Sequence, residues 1–295
     1  IWAAKHPIDN PVMHESLVRY DEMTPVPFTD TYVEAELNPA EALFVFCVKP
    51  AYEGSQCTHN TCSFSRYINI MNPDAVDRFI ELMFEPIEKA VPGVIAKAKA
   101  IFTDEPQFMR KGTLAFADSR QNVHLPWTDD LEDTFKATYG ESLVDHLPEL
   151  LWDLPDGEIS LTRYHYHDHI SERFAEAFAD NCGDWCKAHG IELTGHMMEE
   201  PTLHSQTAAI GDCMRSYRGF GIPGIDMLCA RFEFTTAKQC QSAVHQYGRP
   251  GMLSELYGVT GWDFDFRGHK LHGDWQAALG VTIRVPHLSW VSMKG

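Results

Sequence analysis

Short apolar segments of β type alternate with amphipathic helical segments over most of this 295-residue chain. This alternation is typical of parallel βα units, in which each helix returns the chain to the same end of a sheet. The apolar segments that we interpret as strands lie near residues 43, 99, 191, 225, 252 and 285. The sequence therefore predicts an α/β fold built on a parallel sheet.

The architecture we expect is a (β/α)8 TIM barrel. Such a barrel requires eight strands, two more than the six that we predict. If the strand near residue 285 is the eighth, the strand near 99 is the fourth and the strand near 252 is the seventh. The first two strands would then precede Ile1, so we expect the barrel to be N-terminally incomplete. No glycine-rich phosphate loop follows a strand, which argues against a doubly wound nucleotide-binding sheet.

Residues 107–160 interrupt the alternation directly after the fourth predicted strand. A segment of this length inside a compact domain is usually functional. We therefore predict one catalytic barrel domain over residues 1–295. Residues 107–160 would be an inserted loop and helical excursion over the active site.

The composition excludes some partners. The net charge of −18 argues against nucleic acid and anionic membranes, since binding to phosphates needs a basic face. No apolar run approaches the roughly 20 residues that span a bilayer. The eight cysteines favour a reducing compartment, because a chain this large does not depend on disulfides. A Cys57–Cys62 disulfide, the cellular location and a homo-oligomer stay open.

Two of the predicted strands end in a carboxylate. Residues 100–103 run into Asp104 and Glu105, and residues 252–254 run into Glu255. The active site of a parallel barrel lies at the carboxyl ends of its strands, and acids on apolar strands are costly unless they are paired or used. We predict that Glu105 and Glu255 face each other as a catalytic pair.

Paired carboxylates suit glycoside hydrolysis, in which one acid protonates the leaving oxygen and the other attacks carbon or activates water. Trp262, in the loop just after Glu255, could stack on a sugar ring. The candidates for substrate binding all follow predicted strand ends: Asp104, His196, Glu199, Glu200, Asp226, Tyr257, Trp262 and His287.

Several short motifs recur in a characteristic order. They are Thr103-Asp104-Glu105-Pro106, Tyr139-Gly140, Trp185-Cys186-x-x-His189-Gly190, Leu193-Thr194-Gly195-His196, Pro223-Gly224-Ile225-Asp226, Ser254-Glu255-x-Tyr257-Gly258-x-x-Gly261-Trp262-Asp263 and Pro286-His287. Over residues 70–295 their order and spacing resemble large bacterial glycosyl hydrolases that are grouped with the family-106 α-L-rhamnosidases. The resemblance implies a barrel fold, glycosidase activity and an oligosaccharide or glycoside substrate.

The chain is also similar to the clan of barrel glycosidases that carry the acid/base after strand four and the nucleophile after strand seven. This similarity implies that Glu105 is the acid/base and Glu255 the nucleophile of a retaining enzyme. That clan usually has asparagine immediately before the acid/base, whereas this chain has Asp104.

Other interpretations stay open because of Asp104. Glu199 or Glu200 could pair with Glu255 in an inverting, calcium-assisted mechanism like that of the rhamnosidases. Calcium is the one cofactor that this alternative suggests, and we assign no residue as a metal ligand. A third interpretation is a non-catalytic carbohydrate-binding barrel. The separation of the two carboxyls distinguishes retention, at about 5–5.5 Å, from inversion, at about 6.5–9.5 Å.

Overall fold

The computed structural model describes residues 2–7, 18–48, 68–116, 119, 121–228 and 232–288. The chain divides into two compact units. The first unit comprises Ile1–Tyr67 and Met109–His169, and the second comprises Ile68–Phe108 and Ile170–Gly295. Among the described residues, no helix has the length and apolarity that crossing a bilayer requires.

The first unit contains a small antiparallel sheet with the strand order β2-β1-β3. Its strands are β1 (Trp2–Pro7), β2 (Thr24–Pro25) and β3 (Glu41–Phe46). It also contains α3 (Leu131–Tyr139) and a 3₁₀ helix at Val144–Leu150. Most of the predicted excursion, from Met109 onward, therefore lies in the same unit as the N-terminal sheet.

The apolar run near residue 43 forms a strand, but our prediction that it belongs to the barrel is wrong. It is β3, which pairs antiparallel with β1 in a register that places Ala4 opposite Phe44. Its side chains are mostly half-buried, and Val45 is exposed. An apolar run predicts a strand but not its partner, and the partner here lies in a segment that we interpreted as irregular.

The second unit is built on a parallel sheet with the strand order β4-β5-β6-β7-β8. Its strands are β4 (Ala100–Asp104), β5 (Glu192–His196), β6 (Ile222–Met227), β7 (Leu253–Leu256) and β8 (Ile283–Pro286). The sheet is curled like half of a barrel. The parallel α/β prediction is confirmed, but the described residues contain five strands of the sheet and not a full eight-stranded barrel.

Helices connect the strands of the second unit. They are α1 (Pro73–Met83), α2 (Glu85–Ala90), α4 (Leu161–Phe174, which begins in the first unit), α5 (Asn181–Ala188), α6 (Leu203–Ala209), α7 (Cys213–Ser216), α8 (Thr235–Gln246) and α9 (Phe266–Ala278). A π-helical segment, Ala175–Asp180, joins α4 to α5. Asn72 caps α1, because its side chain accepts a hydrogen bond from the backbone N–H of Asp74.

Close packing between β4 and β5 depends on one glycine. Gly195 has φ of +123°, and a Cβ added there would lie 2.7 Å from the backbone nitrogen of Thr103 and nearer still to its oxygen. No side chain fits between strands at that separation. Gly195 therefore fixes the spacing of the two strands that end at Asp104 and His196.

Candidate active site

The parallel register places the polar ends of the strands at one edge of the sheet. Asp104 at the end of β4 pairs with His196 at the end of β5, and Asp226 on β6 pairs with Glu255 on β7. The pairing of β5 with β6 places Gly195 opposite Pro223, so Asp226 and Glu255 lie two residues further along their strands than His196 and Asp104. The apolar strand segments alone predicted this edge as the site.

A hydrogen bond between His196 and Glu255 is at the centre of this edge. His196 Nε2 lies 2.7 Å from Glu255 Oε2 and 3.7 Å from Asp104 Oδ1. Each of the three residues offers one atom that could ligate a metal ion, and these three atoms lie within 4.8 Å of one another. His196 is buried, whereas 75% of the Asp104 side-chain surface is exposed. The cluster therefore has a buried imidazole and a solvent-facing carboxylate.

The charged groups of this cluster change one another's pKa values. Burial alone lowers the pKa of His196, but the hydrogen bond to Glu255 and the negative charges of Glu200 and Asp226 outweigh it and raise that pKa to about 9. The same hydrogen bond lowers the pKa of Glu255, against the effect of its burial. At neutral pH a protonated His196 thus donates to an ionised Glu255. A carboxylate kept ionised suits a nucleophile or a general base.

Glu200 is buried more deeply than the other candidates. Its Oε1 accepts hydrogen bonds from the Met197 backbone N–H and the Tyr217 hydroxyl, at 3.2 and 3.1 Å, and its Oε2 accepts from the Asp226 backbone N–H at 2.9 Å. Burial raises the pKa of Glu200 to about 7. Burial likewise raises the pKa of Asp226. Both oxygens of Glu200 therefore contact protein groups, and its predicted contact with substrate stays untested.

Three of the predicted site residues have left-handed backbone conformations. Their φ angles are +49° for Glu105, +59° for Glu199 and +76° for Tyr257. Side chains with a Cβ rarely adopt this region, and strain of this kind concentrates at functional sites. Glu105 directly follows β4 and Tyr257 directly follows β7. The strain supports the prediction that these strand ends are functional.

Replacement of Glu105 by glycine should stabilise the protein while removing a predicted catalytic group. Glycine adopts positive φ without strain, so we expect Glu105→Gly to raise the free energy of unfolding by about 1 kcal/mol. Urea denaturation followed by circular dichroism measures this change. Glu105→Gln keeps a Cβ at this strained backbone position and serves as the control. Its urea midpoint should be unchanged. A lower midpoint for Glu105→Gly would show that the Glu105 side chain makes net stabilising contacts.

The remaining candidates surround the cluster at different depths. The His287 backbone N–H donates to Leu256 O at 2.8 Å, and the charge of His287 contributes to the lowered pKa of Glu255. The ring of Tyr257 packs on His269, with centroids 4.7 Å apart. Trp262 lies in the loop after β7 and is 73% exposed. The Cys57–Cys62 pair lies outside the described residues.

Sequence reasoning missed Tyr217. Its ring is fully buried, and its hydroxyl lies 3.1 Å from Glu200 Oε1 and 3.0 Å from the Gly224 carbonyl oxygen. It follows the short helix α7 rather than a strand end, so its sequence position carries no signal of the site. Only the folded chain places this hydroxyl beside Glu200.

The Asp104, His196 and Glu255 cluster does not fit calcium. A calcium ion takes 6–8 oxygen ligands, whereas this cluster offers one imidazole nitrogen and two carboxylates. Asp265, which the sequence places in an Asp-x-Asp pair, instead caps α9 by accepting a hydrogen bond from the Gly268 backbone N–H. We therefore derive no catalytic step through calcium.

The comparison with solved structures bears on the fold. No family model matches the sequence, and no curated protein matches it either. The structure is similar to that of a rhamnosidase from Novosphingobium sp. PP1Y, with a TM-score of 0.61 and 16% sequence identity. The match covers 91% of this chain and 26% of the rhamnosidase, so this chain spans about a quarter of that protein. At this identity the likeness shows a shared fold.

Proposed function

We propose that this chain carries the active site of a retaining glycoside hydrolase, with Glu255 as the nucleophile and Glu105 as the acid/base. The observation that carries the proposal is the 2.7 Å hydrogen bond between His196 and Glu255 at the carboxyl edge of the parallel sheet. It keeps Glu255 ionised and orients one of its oxygens. The other oxygen can then attack an anomeric carbon.

The proposed reaction has two steps. In the first, Glu255 attacks the anomeric carbon while Glu105 protonates the leaving oxygen, which gives a covalent glycosyl–enzyme. In the second, Glu105 removes a proton from water, and the water displaces Glu255 from the sugar. Asp104 would bind a sugar hydroxyl, because it is solvent-facing and lies beside both Glu255 and His196, while the buried His196 orients Glu255.

The likeness to a rhamnosidase supports a glycoside as the substrate and makes α-L-rhamnosides the first compounds to test. It also favours a second candidate, the inverting hydrolase that the resemblance to the rhamnosidases implies. In that mechanism Glu255 would act as a general base on water, a role that its lowered pKa also suits.

A panel of 4-nitrophenyl glycosides that includes the α-L-rhamnoside tests the function. We expect release of nitrophenol from at least one member, with the first sugar product retaining the substrate's anomeric configuration in ¹H NMR spectra. EDTA should leave the rate unchanged. An inverted first product, or loss of activity with EDTA, would favour the second candidate. Sugar binding without hydrolysis across the panel would contradict both and favour a carbohydrate-binding barrel.

A further inference from the structure

One buried carboxyl joins the ends of two neighbouring strands of the second unit. Glu200 is 2% exposed and lies in the turn after β5. Through Oε1 it binds the backbone of Met197, the residue that follows His196, and through Oε2 it binds the backbone of Asp226 on β6. The carboxyl group therefore holds the two backbone segments that carry His196 and Asp226.

The turn that carries Glu200 is itself anchored. The backbone oxygen of Glu200 accepts a hydrogen bond from Gln206 Nε2 at 2.7 Å, and Gln206 is also buried. The backbone oxygen of Glu199 accepts from Ser205 Oγ at 2.9 Å. Because α6 fixes the turn at these points, Glu200 has little freedom to adopt another rotamer.

The hydrogen bonds of the Tyr217 hydroxyl are satisfied best when Glu200 is neutral. A tyrosine hydroxyl has one proton, yet this one has two acceptors within reach, Glu200 Oε1 and the Gly224 oxygen. If Glu200 is ionised, only one of these contacts can be a hydrogen bond. If Glu200 is protonated, it donates to Tyr217 and Tyr217 donates to Gly224. A proton on Glu200 thus completes a chain of hydrogen bonds from the turn after β5 to β6.

We propose that Glu200 is a positioning residue of this site: its buried carboxyl locks the ends of β5 and β6 together by accepting hydrogen bonds from the backbone N–H groups of Met197 and Asp226, and so holds His196 and Asp226 beside Glu255. This inference rests on the proposed glycosidase function. Glu200 itself does not contact the sugar in this role, which departs from our prediction that it binds substrate.

The groups that face Glu200 determine its protonation state. They are His196 from β5, Asp226 from β6, Cys213 and Tyr217 from α7 and the turn after it, and Cys240 from α8. His196 favours the ionised form of Glu200, whereas burial and the charge of Asp226 favour the neutral form, and the resulting pKa is about 7. The backbone N–H groups of Met197 and Asp226 also favour the ionised form, so their hydrogen bonds to Glu200 persist when it ionises and the lock holds in both protonation states.

Three variants of the full chain test the proposal: Glu200→Gln, Glu200→Ala and the control Glu192→Gln, which alters an exposed acid at the opposite end of β5. Glutamine keeps one acceptor oxygen but turns an NH2 donor toward the other backbone N–H, whereas alanine removes both acceptors. We therefore expect kcat to fall about tenfold in Glu200→Gln and about 100-fold in Glu200→Ala, with little change in KM. The control Glu192→Gln should keep the wild-type kcat and KM.

Two further measurements do not require activity. Hydrogen exchange of the Met197 and Asp226 amides should be about tenfold faster in Glu200→Ala than in the wild type or in Glu192→Gln. NMR titration of ring-labelled histidine, with His196 assigned by a His196→Asn variant, should show a lower pKa for His196 in Glu200→Gln, because ionised Glu200 no longer supports the imidazolium.

The outcomes separate this proposal from the proposed function. If the wild type cleaves no glycoside, the function is wrong, and exchange and titration still decide whether Glu200 locks the strand ends. If the wild type is active but Glu200→Ala keeps the wild-type kcat, the positioning proposal is wrong. Unchanged exchange at Met197 and Asp226 in Glu200→Ala would overturn it as well.

Discussion

Glu255→Gln should abolish glycoside hydrolysis, with a loss in kcat of about 10⁴-fold or more, the size seen when a nucleophile is removed from a catalytic unit. The neutral amide cannot attack the anomeric carbon. It also cannot accept a proton from water, so the loss applies to the inverting candidate too. Steady-state kinetics on the best aryl glycoside measures it, with circular dichroism as the check on folding. Near-normal turnover would contradict the assignment of Glu255.

The same variant should change the pH dependence of stability. The folded-state pKa of His196, about 9, is above the ordinary value of 6.5. Its stabilising effect is therefore complete below pH 6.5 and is lost as the pH rises through about 9. The shift corresponds to roughly 3 kcal/mol at most. Because Glu255→Gln removes the hydrogen bond that raises this pKa, urea midpoints should depend less on pH in this range.

Glu105→Gln serves as the companion variant with a different kinetic signature. An acid/base protonates the leaving oxygen, so its loss should slow poor leaving groups strongly and activated nitrophenyl glycosides much less. The stability of this variant should keep the wild-type dependence on pH between 6.5 and 9, because His196 and Glu255 are intact. Equal losses for all leaving groups would contradict the role assigned to Glu105.

Gly195→Ala should destabilise the second unit by more than about 4 kcal/mol and should prevent folding in a marginally stable protein. The new Cβ would overlap the backbone of Thr103, which cannot move without breaking the pairing of β4 with β5. The φ of +123° adds strain for any residue with a Cβ. Soluble yield and urea denaturation measure the effect.

Gly190→Ala is the matched control for this prediction. Gly190 also has a positive φ, of +72°, but an added Cβ meets nothing within 4 Å. It ends the helical segment that precedes β5, so alanine there should cost only about 1–2 kcal/mol of backbone strain. Similar losses in the two variants would show that conformation, rather than the contact with Thr103, sets the need for glycine at position 195.

Local sequence patterns predicted much of the second unit. The Asn72-Pro73-Asp74 start of α1 and the end of the long helical segment at Gly190 were predictable because caps depend on neighbouring residues. The strand neighbours followed from chain order, since successive parallel strands usually lie side by side. The apolar run of residues 43–48 was misplaced because its partner lies in β1, which carries no distinctive pattern.

By itself, the sequence determined that acids follow buried parallel strands, since strand periodicity and the apolar runs are local properties. Only the tertiary structure decided which of those acids meet. Glu255 binds an imidazole 59 residues away, and Glu200 turns inward to Tyr217 and Asp226. Contacts of this kind depend on strand register and on the fixed geometry of turns, which no short stretch of sequence encodes.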